Sequence, residues 1–227
     1  MPEDKPWHSP KSPSQCQQDL CVLEIIKKPG VFLDIGSSKP IKDNNTYLLE
    51  QNGWTGICID KNYYNYSKIV DNLKDTGLTS KDIKPRICNF LHGDAIELLY
   101  TLENTEYDYI SLDIDEDTNK ALRAILKNNI SFKFMTIEHD LFKLPKTVQD
   151  EQRELLYDSG YEPLFLNIQP YWNFHVMFED WWYDPKANFP IIKELESLNV
   201  LGSSYRPSSN ILWLLQQAGK KLDYRST

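Results

Sequence analysis

Along this chain, short apolar runs rich in β-branched and aromatic residues alternate with stretches in which apolar residues recur every three or four positions. That alternation predicts strands interleaved with helices. Strands are expected at 31–35, 56–60, 86–90, 107–113, 132–137, 163–168 and around 174–178. Between them, helical spacing covers 16–28, a helix beginning at 47–50, then 63–75, 96–102, 118–127 and 148–159. Two further helical pieces, 191–198 and 209–218, follow the last strand, with a turn-rich joint at 202–208. Pro29-Gly30 stops the first helix and Gly160 caps the helix at 148–159. Strands and helices at this spacing imply an α/β, doubly wound, seven-stranded sheet, mostly parallel. The loop 169–173 is too short for a helical crossover, so the last strand is expected to run antiparallel to its neighbour. Residues 1–14 hold Pro2, Pro6, Pro10 and Pro13 among charges and serines, which predicts a flexible arm able to fold over a site. The rest, 15–227, reads as one domain, with a helical extension from about residue 184.

Composition narrows the function classes. A net charge of -8 argues against a polyphosphate surface as the main partner, so nucleic acid is not expected. No apolar run is long enough to span a bilayer and the N-terminus lacks an apolar leader core, so no membrane partner and a cytoplasmic location are expected. Cys16, Cys21, Cys58 and Cys88 form no Cys-x-x-Cys pair and read as buried thiols in a reducing compartment.

The candidate chemistry begins at Val31-Phe32-Leu33-Asp34-Ile35-Gly36-Ser37-Ser38, a buried strand closed by a carboxylate, a glycine and two small hydroxyl residues. Gly36 permits a sharp turn and close approach of a ligand, although a plain strand-to-loop corner has the same composition. The residues 43–46, Asp-Asn-Asn-Thr, offer N-cap candidates directly ahead of the next helix. Asp60, with Lys61 after it, closes the second strand 24 residues past Gly36, where an acid accepts hydrogen bonds from ribose hydroxyls or else caps the following helix. Gly93-Asp94-Ala95 ends the third strand, a place where an acid meets an adenine amino group and a small neighbour packs on the ring. Asp94 also suits an N-cap.

Taken together these residues resemble the class I S-adenosylmethionine (SAM)-dependent methyltransferases, over about residues 30 to 180. Asn44-Asn45-Thr46-Tyr47-Leu48-Leu49-Glu50, Gly53-Trp54-Thr55-Gly56 and Glu179-Asp180-Trp181-Trp182 look like the FkbM-type branch, whose members mostly methylate hydroxyls of sugars and related metabolites. The resemblance implies a Rossmann-like methyltransferase domain and SAM as cofactor. It places Asp34, Gly36, Ser37, Asn45, Thr46, Asp60 and Asp94 at the cofactor, and the antiparallel last strand also fits. Lys61, Gly93, Ala95 and Asp113 complete the expected cofactor set. Ser38 and Pro40 stand where the family's turn carries further glycines, which leaves the loop's path around the methionine moiety open. The absence of Gly-x-Gly-x-x-Gly counts against a dinucleotide oxidoreductase, the first rival; a non-catalytic binding module is the second.

The fourth strand ends in Asp113-Ile114-Asp115-Glu116-Asp117 and the fifth in Glu138-His139-Asp140. Two devices suit these acids and the histidine. Asp113, Glu138 and His139 would hold a divalent cation, Mg or Mn, an arrangement similar to catechol-type O-methyltransferases. Alternatively His139 is a general base, with Asp113 and Asp115 beside the reacting end of the cofactor. Glu116 and Asp117 read as a solvated helix start. The aromatic group Tyr171, Trp172, Phe174, Phe178, Trp181, Trp182 and Tyr183 would stack on a sugar acceptor, pack the last strand or form a homo-oligomer contact. The expected reaction is methyl transfer from SAM to a hydroxyl of a sugar, a glycan or a related small metabolite.

Overall fold

The structure is a computed structural model that describes residues 12–62, 86–170, 173 and 175–225. Its sheet has strands β1 (Val31–Ile35), β2 (Thr55–Asp60), β3 (Asn89–His92), β4 (Glu106–Leu112), β5 (Ser131–Glu138), β6 (Glu162–Ile168), β7 (Glu179–Tyr183) and β8 (Ser203–Ser204). The described helices are α1 (Gln18–Ile25), α2 (Tyr47–Gln51), α3 (Ala95–Leu99), α4 (Thr118–Lys127), α5 (Lys146–Asp158), α6 (Pro190–Ser197) and α7 (Ser208–Arg225).

Strand order is β3-β2-β1-β4-β5-β7-β6-β8. The first five in that order are mutually parallel, β7 is antiparallel to both β5 and β6, and β8 runs parallel to β6. This is a doubly wound, Rossmann-like α/β sheet. Both faces are covered, and successive residues feed opposite cores, as the period of two requires. Phe32, Tyr109, Phe134 and Trp181 join α1, α6 and α7 on one face. Leu33, Ile110, Met135 and Trp182 join α3, α4 and α5 on the other. Because β1 lies between β2 and β4, the chain winds away in opposite directions from the β1/β4 boundary. In an open α/β sheet that reversal leaves a crevice at the carboxyl ends of the strands.

Four elements differ from the sequence reading. The sheet has eight strands rather than seven, because two residues of the expected joint, Ser203 and Ser204, pair with Phe165 and Leu166. The final long strand is Glu179–Tyr183, not 174–178. It is an interior strand of a sheet packed on both faces, so Trp181 and Trp182 are both fully buried and show none of the alternation expected of a half-exposed strand. Each such ring removes on the order of 200 Å² from water, about 5 kcal/mol of hydrophobic stabilisation before entropy is charged against it. The third strand begins at Asn89, because Arg86 is drawn inward as a side-chain clamp. The first helix is shorter than expected, with Ile26 already extended at its end. The helix expected at 63–75 lies outside the described residues. Of the expected arm, residues 12–14 are held against the domain, Ser14 being buried. No helix among the described residues is long and apolar enough to cross a membrane.

Candidate functional site

At the crevice the structure has a cavity of about 320 Å³. Its floor is the end of β1. Gly36 has φ +85°, and a Cβ there would stand 1.7 Å from the Asp113 carbonyl oxygen, so only glycine lets the loops after β1 and β4 meet. Gly36 and Ser37 N–H groups both donate to Ile59 O, at 2.8 and 3.2 Å, and the Asp113 N–H donates to Ile35 O at 2.9 Å. The three strand ends are thereby tied together before they diverge.

Asp34 is buried behind this turn and accepts from Thr46 Oγ1 at 2.6 Å; burial pushes its carboxyl up to about 6, against the pull of Thr46 and Arg86. Asn45 lines the cavity and donates to Ser111 Oγ at 2.9 Å. On the β2 side, Asp60 accepts from the Ser38 N–H at 2.8 Å on one oxygen and from the Asn62 N–H at 2.7 Å on the other. Each oxygen keeps a lone pair for a further donor. Asp94 caps α3, accepting from the Glu97 N–H at 3.0 Å, and Ala95 and Ile96, with Ile114, form the apolar part of the lining. Of the expected cofactor residues, Asp34, Gly36, Ser37, Asn45, Asp60, Lys61, Asp94, Ala95 and Asp113 all line the cavity. Thr46 stands behind Asp34, and Gly93 turns the chain by donating its N–H to Asp60 O at 3.1 Å.

The loop from Ser37 to Thr46 forms one wall, and its shape comes from Asn44. That side chain donates to Ser37 O at 2.7 Å and Lys39 O at 3.1 Å, while its oxygen accepts from the N–H groups of Thr46 and Tyr47. Behind it, Arg86, with a side chain only 2% exposed, donates to Glu50 Oε2 (2.6 Å), Pro40 O (2.7 Å), Asn44 Oδ1 (3.1 Å) and Thr46 Oγ1 (3.2 Å). Sequence reasoning missed Arg86 as a site-building residue, because it is separated by 36 residues from Glu50.

At the β4 and β5 ends, Asp113 lines the cavity, with the Glu138 carboxyl against it and the Asp140 carboxyl beside that. Burial, followed by these neighbours, pushes the Glu138 carboxyl far up, so that it carries the proton such a carboxyl–carboxyl contact requires. Lys143 Nζ lies 2.7 Å from Asp115 Oδ1 and 2.6 Å from Asp140 Oδ2. Asp115 lines the cavity as expected, and so does Asp117, which the sequence reading left in solvent.

His139 is a correction to the expected metal site. The residue is 1% exposed, with Nε2 3.5 Å from Asp180 Oδ1 and Nδ1 accepting from the Leu141 N–H at 3.2 Å. Although burial works against it, His139 and Arg153 hold the Asp180 carboxyl below its usual range. The expected ligands Asp113, Glu138 and His139 therefore do not converge. Among the described residues no group of three or more His, Cys, Asp or Glu side chains is placed to hold a metal ion. These residues do not fit a bound cation.

His139 does not line the cavity, whereas Gln15, from the chain ahead of α1, does. No sequence signal pointed to Gln15. Of the aromatic group, Phe178, Trp181, Trp182 and Tyr183 are buried within the chain's own core, and 171, 172 and 174 lie outside the described residues.

No protein-family model and no curated protein matches the chain. Among solved structures it is similar to a SAM-dependent methyltransferase from Archaeoglobus fulgidus, at 18% identity over 59% of this chain and 63% of that one, with a TM-score of 0.38. It is similar also to 1,6-didemethyltoxoflavin-N1-methyltransferase from Burkholderia thailandensis with bound S-adenosylhomocysteine, at 13% identity over 64% and 66%, TM-score 0.41. A third likeness is to WbdD, at 15% identity over 73% and 37%, TM-score 0.46. The chain spans less than two thirds of the length of each of these three proteins. Likenesses this distant carry no argument about substrate or reaction.

Proposed function

We propose that this chain is a SAM-dependent methyltransferase acting on a hydroxyl of a small metabolite, sugars and glycans included. The observation that carries the reading is the charge of the crevice. The cavity is lined by Asp34, Asp43, Asp60, Asp94 and the three aspartates 113, 115 and 117, against Lys61 as its one cationic lining residue among those described. Such a field attracts the sulfonium and ammonium of SAM and repels the pyrophosphate of a dinucleotide, so the same observation disfavours an oxidoreductase.

SAM would supply an electrophilic methyl group on a positive sulfur. The chain's own residues bind, orient and receive a proton. Asp60 suits the ribose hydroxyls through its spare lone pairs, while Asp94 with Ala95 and Ile96 suits adenine. Asp113, at the end of β4, would face the reacting end and take the acceptor's hydroxyl proton as the oxygen attacks in line with the departing sulfur. The protonated Glu138 holds Asp113 in place. His139 acts through Asp180 and Arg153 as support for the β5 and β7 ends, in place of the base role the sequence suggested.

Calorimetry with SAM, its demethylated product and an oxidised nicotinamide dinucleotide tests this. SAM should bind more tightly than the uncharged-sulfur product, the preference should shrink as salt rises, and the dinucleotide should not bind. Failure of both sulfur compounds to bind would refute the reading. A labelled-methyl screen over sugar and other hydroxyl acceptors then tests the acceptor class.

A further inference from the structure

Gln15 stands apart from the other residues of the cavity, which all come from the carboxyl edge of the sheet and the turns that follow it. The segment 12–17 has neither helix nor strand, yet it is buried along most of its length and tied at three places. Ser12 Oγ and Ser14 Oγ both donate to Asp19 Oδ1, at 2.6 and 2.8 Å. The Pro13 carbonyl accepts from the Asp43 N–H at 2.9 Å, and Asp43 itself lines the cavity. Gln18 Nε2 donates to Glu179 Oε2 at 2.9 Å, while Gln18 Oε1 accepts from the Cys16 N–H at 2.8 Å. Gln17 takes a left-handed backbone, φ 56°, which reverses the chain into α1.

The latch itself is finely balanced. Asp19 is fully buried, and its Oδ2 has no hydrogen-bond partner. Every donor to it, including the Leu20 N–H at 2.8 Å, falls on Oδ1. Closing the segment therefore removes a carboxylate from water for the two serine hydrogen bonds, the Leu20 bond being internal to α1, and the desolvation cost offsets much of what they contribute. A latch that gains so little on closing responds to any ligand contact made only when the segment is closed. Gln15, between the fixed points Pro13 and Cys16, is positioned to make that contact.

We infer that residues 12–17 are a strap that closes over the bound ligand, that Gln15 touches the ligand, and that entry and exit require the Ser12/Ser14–Asp19 latch to open. The inference rests on the SAM reading for the identity of the ligand alone. The test is stopped-flow binding of SAM and of its demethylated product to the full chain, with apo melting temperature measured alongside. Gln15→Ala should leave association unchanged and make release roughly three- to tenfold faster, the loss of one hydrogen bond. Ser12→Ala with Ser14→Ala should speed both entry and release, and Ser14→Thr, which keeps the hydroxyl, should behave as the native chain. Melting of the apo Gln15→Ala protein should not change. Binding with native rates in both the Gln15 and the double-serine variants would overturn the strap alone. Absence of binding by the native chain would overturn the SAM reading and the strap's ligand with it.

Discussion

Removing the charge of Arg86 should unfold the wall of the cavity before it unfolds anything else. Its side chain is 2% exposed and that of its partner Glu50 is 1% exposed, so neither charge has water to fall back on. In Arg86→Met, Glu50 keeps only N–H donors from the chain itself, Cys88 at 2.6 Å and Ile87 at 3.4 Å. The carbonyl of Pro40 and the side-chain oxygen of Asn44 each lose a donor as well. Breaking one partner of a buried ion pair costs about 3 to 5 kcal/mol, a large part of the roughly 5 to 15 kcal/mol by which a domain is stable. Urea denaturation followed by far-UV circular dichroism should show the midpoint fall accordingly. The double variant Arg86→Met, Glu50→Gln removes the orphaned charge and should recover about 2 kcal/mol, which a double-mutant cycle reads directly. Because the clamp holds Pro40, Asn44 and Thr46, cofactor affinity should fall with it. A loss below about 1 kcal/mol in the single variant, or exact additivity in the cycle, would show that the pair does not hold the wall.

Gly36→Ala should cost about 2 to 5 kcal/mol and abolish cofactor binding, since it adds both a left-handed non-glycine residue and a Cβ against the Asp113 carbonyl; a native-like denaturation midpoint would refute the contact. Stability should rise as pH falls from 8 to 6, contrary to the usual expectation for a carboxylate. Burial raises Glu179 from 4.5 to about 8, so the folded chain holds a proton that the unfolded chain releases. The stabilisation from that proton is complete below 4.5 and is lost as pH rises through about 8; Asp19 and Asp34, both raised to about 6, add the same sign between 3.8 and 6. The share of Glu179 in the change from pH 8 to 6 is about 2 kcal/mol, and Glu138, which keeps its proton in the folded chain, adds the same sign. Calorimetric melting should rise over that interval in the native chain and rise less in Glu179→Gln, with the remainder left to the buried Glu138, and a melting temperature that fell from pH 8 to 6 in the native chain would contradict the assignment.

Much of this protein is local and was legible as sequence. The run from Val31 to Ser38 predicts a buried strand ending in a glycine turn, and the structure places Gly36 with the positive φ that turn needs. Asp60, Asp94 and Asp113 read as strand-end acids because a strand's last residue is marked by the apolar run before it, and parallel strands bring such ends to one edge. Asp94 as the cap of α3 follows from the same local logic. What the sequence could not determine depends on which distant segments become neighbours. Glu138 and His139 are adjacent in the chain, but successive residues at a strand end point to opposite faces, so one meets Asp113 and the other Asp180. The aromatic run at 181–183 looks like a surface for ligands until β7 is known to be an interior strand of a sheet covered on both faces, which sends Trp181 and Tyr183 into one core and Trp182 into the other. Arg86 and Gln15 carry no local signature, because a clamp or a strap is defined by what it reaches, Glu50 36 residues away in one case and a cavity built by other segments in the other. Backbone periodicity and strand-end chemistry are properties of a few consecutive residues and survive in the sequence; side-chain direction at a shared edge is set by packing, and only the tertiary structure decides it.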